Sequence, residues 1–285
     1  MNIIIGGTGH VGSEVARNLL LNDEHVMIIT HSGEKISDWE EEGAEVALVD
    51  VHDSDSLHKV LMNGGELFLI NPNADPKEDT VKEEKKSLYS ILEALEDTPI
   101  TKIVAESTYG ARLGDGIGDL GILHEMEESL KQLGIPHAII RAAFYMSNWD
   151  AFIESAKNEG VITTMYPEDF KLPMVAPEDL GEFASKLLNS EISSSEIHYV
   201  EGPEKYSPRD VANAFSKALG KEVKVNVLKE EEWLPWLMKQ GFSQAAAESM
   251  VRMTEIIISK DYEVPKFFSR GKTSLDEYIA KQISH

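Results

Sequence analysis

The residues "NIIIGGTGHVGSEVARNLL", numbers 2–20, decide the fold of this chain. The apolar, β-branched run Asn2–Ile5 predicts a strand that is buried on both faces. Three glycines follow at three-residue spacing, and apolar residues then recur at the spacing of a helix face. The glycines are Gly6, Gly9 and Gly12, and the apolar residues are Val11, Val15 and Leu19. This order of strand, glycine turn and helix is typical of a βαβ unit that binds a dinucleotide.

Each of the three glycines has a distinct structural role in such a unit. The first permits the sharp turn from strand to helix, the second lets backbone N–H groups approach a pyrophosphate, and the third lets the helix pack on the strand. Thr8 and His10 are then expected in the loop that faces the phosphates. The alternative is a tight turn that holds no ligand.

The rest of the chain extends this unit into a sheet. Short apolar runs alternate with helical patterns and predict further strands at residues 25–30, 44–50, 66–71, 101–107 and 136–141. Such alternation predicts an α/β fold, a Rossmann-like doubly wound parallel sheet with helices on both faces. Residues 1–145 form the predicted dinucleotide-binding core. Residues 146–285 are expected to return strands and helices to that core and to add a small, mostly helical cap; residues 161–180 look irregular.

Composition excludes several classes of function. The 285 residues carry a net charge of −23, from 50 acidic and 27 basic residues, and contain no cysteine. A surface this negative repels nucleic acid and anionic membranes, although the acidity can also serve solubility alone. Disulfides, thiolate metal sites and thiol nucleophiles are excluded, and no histidine spacing suggests a metal site. Without a long apolar run or a basic signal segment, we expect a cytoplasmic protein without a membrane anchor.

The end of the second predicted strand bears on the choice of cofactor. Thr30 follows Gly12 by 18 positions (30 − 12), where NAD-binding units commonly place a carboxylate. His31, Ser32 and Lys35 come next and suit a 2′-phosphate, so NADP(H) is preferred to NAD(H). A solvated loop that is indifferent to the 2′ position remains an alternative.

Motifs along nearly the whole chain resemble one known family. They include "IIIGGTGHVG" (3–12), "ELFLINPNA" (66–74), "KIVAESTYGA" (102–111), "HEMEESLKQLGIPHAIIRAAFYMSNW" (124–149) and "PMVAPEDLGEFASKLL" (173–188). They are similar to the NmrA-like group of atypical short-chain dehydrogenases/reductases, especially its NAD(P)H:quinone and azo-reductase-like branch.

The resemblance implies a set of cofactor contacts. Gly6, Thr8, Gly9, His10, Val11 and Gly12 would hold the pyrophosphate. His31 and Lys35 would hold the adenosine 2′ end, with Asp50 and Val51 at the adenine. Thr30 and Ser32, beside them in the sequence, are further candidate contacts at the 2′ end. Asn71, Pro72 and Asn73 would run along the cofactor towards the nicotinamide, and Ser107 would stand near its ribose.

The chain departs from this family's wider superfamily at the catalytic helix. The usual Tyr-x-x-x-Lys is replaced by a segment in which His124 and Glu128 are four residues apart, a helical pair that could supply a weak acid. The alternative is a polar helix face without a catalytic role. Tyr109, Tyr145 and Trp233 are candidates for a substrate cleft, although such aromatic residues more often only pack.

Two functions follow from these observations. The first is an NAD(P)H-dependent oxidoreductase that transfers hydride directly to a quinone-like or other small conjugated acceptor, with the product's proton drawn from water. The second is a non-catalytic, NAD(P)-sensing regulator that binds a protein partner. The chain is expected to be a monomer or a homodimer.

Overall fold

The computed structural model describes residues 1–192 and 194–284. Its strands are β1 (Asn2–Ile5), β2 (Val26–Thr30), β3 (Glu45–Leu48), β4 (Gly65–Leu69), β5 (Ile100–Thr108), β6 (His137–Ala142), β7 (Phe144–Tyr145), β8 (Val161–Thr164), β9 (Leu172–Val175), β10 (Glu196–Glu201), β11 (Lys205–Tyr206), β12 (Lys224–Val227) and β13 (Ser269–Arg270). Its α-helices are α1 (His10–Leu20), α2 (Ile36–Glu42), α3 (Ser54–Leu61), α4 (Thr80–Leu95), α5 (Asp119–Leu133), α6 (Ile153–Asn158), α7 (Pro177–Leu188), α8 (Pro208–Leu219), α9 (Glu230–Lys239), α10 (Gln244–Ser259) and α11 (Leu275–Ser284), and a 3₁₀ helix covers Met146–Phe152.

Eight strands form one parallel sheet in the order β13-β10-β6-β5-β4-β1-β2-β3. The chain runs from β1 outward to β3 and then returns to place β4 on the other side of β1. The strand order therefore reverses between β1 and β4, which is where ligands bind in open α/β sheets. The predicted doubly wound parallel sheet is confirmed.

The sheet is buried on both faces, and β1 shows why its sequence is continuously apolar. Ile4 packs in a core cluster with α1 and α7, whereas Ile3 and Ile5 pack in a second cluster with α3, α4 and α5. All three isoleucines are fully buried. Alternate residues of each strand thus serve opposite layers of helices.

One close contact brings α7 onto α1. A Cβ atom placed on Gly181 of α7 would lie 2.4 Å from the Cβ of Glu14 on α1, so the two helices approach at a distance that only glycine permits. The contact lies just beyond the first turn of α1, at Glu14 and Val15.

The residues from Phe144 onward belong partly to the main sheet and partly to smaller units. β10 and β13 extend the sheet, while β7, β9 and β11 form a three-stranded sheet and β8 pairs with β12. The prediction of irregular structure over residues 161–180 is wrong for β8 and β9, because two short strands separated by a turn give little periodic signal. Among the described residues, no helix combines the length and the apolar character that crossing a bilayer requires.

Candidate functional site

A cavity of about 550 Å³ opens at the carboxyl ends of the central strands. It is lined by the loop after β1, the ends of β2, β4 and β5, the segment after β6, the start of α5, and residues of α10. These elements surround the point at which the strand order reverses, so the fold itself forms the cavity.

The glycine loop forms one end of this cavity. Gly6 has φ +79°, a left-handed conformation that glycine adopts without strain. A Cβ atom on Gly12 would lie 2.2 Å from the carbonyl oxygen of Gly6, so the turn closes only without a side chain at position 12. At Gly9 a Cβ atom would meet only that same oxygen, at 3.4 Å. The fold therefore requires Gly6 and Gly12, whereas the absence of a side chain at Gly9 leaves space in the cavity lining.

The start of α1 suits an anion. Gly9 precedes the first turn with φ −83° and ψ 176°, and it has no side chain to cap the N–H groups that follow. The first turn, His10–Ser13, contains no acidic residue. Free N–H groups and the positive end of the helix dipole together match a pyrophosphate, so the residues present fit a dinucleotide.

The residues predicted for the adenosine end divide into two groups. Thr30, His31 and Val51 line the cavity, together with Val49. In the part of the chain that the structure describes, Ser32, Lys35 and Asp50 do not line it. Ser32 and Asp50 stabilise local turns: the Ser32 Oγ accepts from the Glu34 N–H at 3.2 Å, and the Asp50 Oδ1 accepts from the His52 N–H at 2.9 Å.

The segment after β4 follows the cavity wall, with Asn71, Pro72 and Asn73 all in the lining. Asn71 donates from Nδ2 to the Glu84 carbonyl oxygen at 3.1 Å, and the Glu84 Oε1 accepts from the Ala74 N–H at 3.1 Å. The Asn71 Oδ1 is buried and has no hydrogen-bond partner among the described residues.

Ser107 lies on the opposite side of β5 from the cavity. Its hydroxyl donates to the Glu127 Oε1 at 2.5 Å, and the residue is 1% exposed. Alternation along the strand directs Ser107 towards α5, and its neighbours Glu106 and Thr108 line the cavity instead.

The proposed acid pair is likewise absent from the cavity lining over residues 1–192 and 194–284. Glu128 forms an ion pair with Lys131, whose hydrogen bond lowers the pKa of that carboxyl, and no hydrogen bond joins His124 to Glu128 in the described structure.

Trp233 is buried in α9, where its indole N–H donates to the Leu228 carbonyl oxygen at 3.1 Å, away from the cavity.

Three carboxyl groups that the sequence did not single out line the other end of the cavity: Glu84, Glu106 and Asp119. Burial raises the pKa of Glu106 to about 7, and the Tyr145 hydroxyl donates to its Oε1 at 2.5 Å. Burial, reinforced by nearby Asp119, raises the pKa of Glu84 to about 8, and burial also raises the pKa of Asp119. Among the described residues, no group of three or more His, Asp or Glu side chains is arranged to hold a metal ion.

The sequence around Glu106 and Glu84 contains a weak indication that these two carboxyls are buried. Glu106 interrupts the apolar strand "KIVAES", and charged residues in a buried strand are rare unless they serve a purpose. Glu84 occupies a position on the apolar face of α4, four residues before Leu88.

Aromatic side chains surround the carboxyl groups. Of the predicted cleft residues, Tyr109 and Tyr145 line the cavity, together with Phe144, Tyr166 and Tyr262. Burial and nearby Glu201 raise the pKa of Tyr109, whose hydroxyl donates to the Glu201 Oε1 at 3.1 Å. This end of the cavity therefore presents aromatic rings and carboxyl groups to a ligand.

Comparison with known proteins identifies relatives over the full length of the chain. A regulation-like protein from Gibberella fujikuroi, "Nitrogen metabolite regulation-like protein bik4", is 27% identical, covering 99% of this chain and 96% of that protein. The quinone oxidoreductase QOR2 of Escherichia coli, solved with NADPH, is 21% identical with a TM-score of 0.81, covering 99% of both chains. The Citrobacter sp. triphenylmethane reductase, solved with NADP(H), is 20% identical with a TM-score of 0.80, covering 99% of this chain and 100% of the other.

Two families match long segments of the chain. Residues 6–191 match a family described as NAD(P)H-binding, in agreement with the glycine loop and the fit of a dinucleotide. Residues 122–283, more than half of the chain, match the NmrA-like family. The chain is therefore a nicotinamide-dinucleotide-binding protein that belongs to the NmrA-like family.

Proposed function

We propose that this protein is an NAD(P)H-dependent oxidoreductase that reduces a small conjugated acceptor by direct hydride transfer. The observation that carries the proposal is one continuous cavity, which joins the glycine loop to a second end lined by aromatic rings. Such a cavity can hold a dinucleotide and an acceptor side by side. Two proteins of the same fold, a quinone oxidoreductase and a triphenylmethane reductase, support the same activity.

The chain's own residues would bind and orient the two reactants. Gly6, Thr8, Gly9, His10 and Val11 would hold the pyrophosphate against the start of α1, and Asn71–Asn73 would follow the dinucleotide along the wall of the cavity. When bound, a reduced nicotinamide supplies a hydride. The protein contributes by holding the acceptor close and by excluding water, which removes much of the entropic barrier to a bimolecular step.

We assign no acid role to His124 and Glu128, since neither lies in the cavity lining of the described residues. Tyr109 and Tyr145 retain the proposed role of acceptor-cleft residues. Trp233 is proposed instead as a packing residue of α9.

The activity can be tested by mixing purified protein with NADPH or NADH and a panel of quinones, azo compounds and cationic dyes. We expect protein-dependent loss of the reduced cofactor's absorbance with at least one acceptor. Cofactor binding is measured separately by calorimetry. Saturable cofactor binding without turnover of any acceptor would contradict the proposal.

A second function is favoured by the similarity to the regulation-like protein from Gibberella fujikuroi. In this alternative the protein senses the balance of oxidised and reduced dinucleotide and binds a protein partner. It predicts that NADP⁺ and NADPH change the affinity for that partner differently, without turnover. Equal effects of the two forms on every partner would exclude it.

The preference for NADP(H) rests on His31 and Lys35. His31 lines the cavity, and Lys35 is an exposed cation at the start of α2. We expect a double variant, His31→Ala with Lys35→Gln, to bind NADPH about tenfold more weakly while NADH binding stays unchanged, because only NADPH carries the 2′-phosphate. The matched control is Lys82→Gln, which removes an exposed cation from α4. Equal weakening of both cofactors would contradict the prediction.

A further inference from the structure

The two ends of the cavity differ in charge. Its basic side chains are His10 and His31, which belong to the glycine loop and to the end of β2. Its carboxyl groups are Glu84, Glu106 and Asp119, on α4, β5 and α5. Across the described residues, neither lysine nor arginine lines the cavity, so the acidic end has no built-in counter-ion.

Two buried acceptor atoms belong to this part of the cavity wall. Glu106 is 3% exposed, and its Oε2 has no hydrogen-bond partner in the part of the chain that the structure describes. The Asn71 Oδ1 is also buried and unpartnered among those residues, in a side chain that is 6% exposed. A buried acceptor without a partner is destabilising, and more so when it is charged, so a ligand that supplies positive charge or a hydrogen-bond donor would satisfy both atoms.

The surrounding rings favour the same kind of ligand. Phe144 and Tyr166 meet edge to face, with ring centroids 5.9 Å apart, and Tyr145 lies beside Glu106. Aromatic faces and carboxylates together form the usual environment for an organic cation, which gains attraction from both. A neutral quinone would gain only the contact with the rings.

On the basis of the proposed function, we infer that the acidic end of the cavity binds a flat, conjugated organic cation, and that this is the class of acceptor the protein reduces. Burial raises the pKa of Glu106 to about 7 and, with nearby Asp119, that of Glu84 to about 8, so a bound cation would favour the ionised form of both carboxyls.

A cationic acceptor also accounts for the missing Tyr-x-x-x-Lys acid. When such an acceptor gains a hydride, a C–H bond forms at its electron-poor carbon and the positive charge disappears. The reduced nicotinamide dinucleotide loses that hydride and is oxidised by two electrons. Charge and atoms balance without a proton, so no acid is needed on α5.

The experiment compares two probes of nearly equal shape. N-methylacridinium is a flat cation that accepts hydride at the ring carbon opposite its nitrogen, and acridine is uncharged above neutral pH. Their binding is followed by fluorescence anisotropy in the presence of NADP⁺, so the readout does not depend on turnover. We expect N-methylacridinium to bind at least about tenfold more tightly than acridine.

Variants locate the source of that preference. Glu106→Gln, which keeps an acceptor for Tyr145, should remove most of the preference for the cation and leave acridine binding unchanged. Asp119→Asn is a second variant if Glu106→Gln does not fold. Glu83→Gln is the matched control: it removes a charge one residue from Glu84, where the carboxyl pairs with Lys86 at the surface.

Equal binding of the two probes would overturn the inference, and so would a Glu106→Gln variant that loses affinity for NADP⁺ but not for N-methylacridinium. In the second case the carboxyl groups would contribute to the binding of NADP⁺ and not to that of the probe. Failure of the proposed oxidoreductase function is recognised separately, as bound probe and bound NADPH without reduction of the probe.

Discussion

Gly9→Val should reduce dinucleotide affinity by more than about 100-fold and leave the protein folded. Gly9 has φ −83° and ψ 176°, a conformation open to any residue, and a Cβ atom there would meet only the Gly6 carbonyl oxygen at 3.4 Å. The valine methyl groups would therefore occupy cavity space rather than disturb the core. Replacing a glycine before the first helical turn costs about 1 kcal/mol of folding stability. Calorimetry with NADPH and a thermal melt measure the two effects.

Gly12→Ala is the matched control within the same motif. Its Cβ atom would lie 2.2 Å from the Gly6 carbonyl oxygen and 2.9 Å from the Gly7 Cα, so the loop and α1 must separate. We expect this variant to lose stability as well as affinity. If Gly9→Val binds NADPH normally, the loop does not hold a pyrophosphate.

The sequence predicted the sheet well because local pattern and global fold agree in its strands. β1 is apolar on both faces, and each later core strand is a short run between helical stretches. The same agreement holds for the glycine loop, where each residue's role depends on neighbours within a few positions. Short-range rules are sufficient there.

The far end of the cavity depends on contacts between distant segments, which single-sequence patterns do not contain. Glu84, Glu106 and Asp119 come from α4, β5 and α5, and the sequence pattern around each one alone predicts a packing residue or a surface charge. The expected position of Ser107 differs from the structure because the resemblance gives a residue's place in the strand but not the face to which it points. His124 illustrates the same limit: helical spacing pairs it with Glu128, but packing decides which face of α5 meets the cavity.

Arg141→Met should destabilise the protein by roughly 3–5 kcal/mol, because it leaves a buried carboxylate without its partner. Arg141 donates from Nε and Nη2 to the two carboxylate oxygens of Glu127, at 2.9 and 2.7 Å, and Glu127 is 1% exposed. Ser107 donates to the same carboxylate, so the pair also fixes the end of β5. Chemical denaturation measures the loss.

Two further variants separate the cost of an unpaired charge from the loss of any ion pair. Lys186→Met breaks the exposed pair with Glu182 on α7 and should cost no more than about 1 kcal/mol. Arg141→Met combined with Glu127→Leu removes both buried charges and should recover much of the stability that the single variant loses, because an apolar pair has no desolvation penalty. A double variant as unstable as Arg141→Met would instead assign the loss to the hydrogen bonds of Ser107 and Tyr199 with this pair. If Arg141→Met destabilises the protein no more than Lys186→Met does, water must reach Glu127. Either result would change the account of how β5 is held beside the cavity, since Glu106 and Ser107 are adjacent and a shift of one moves the other.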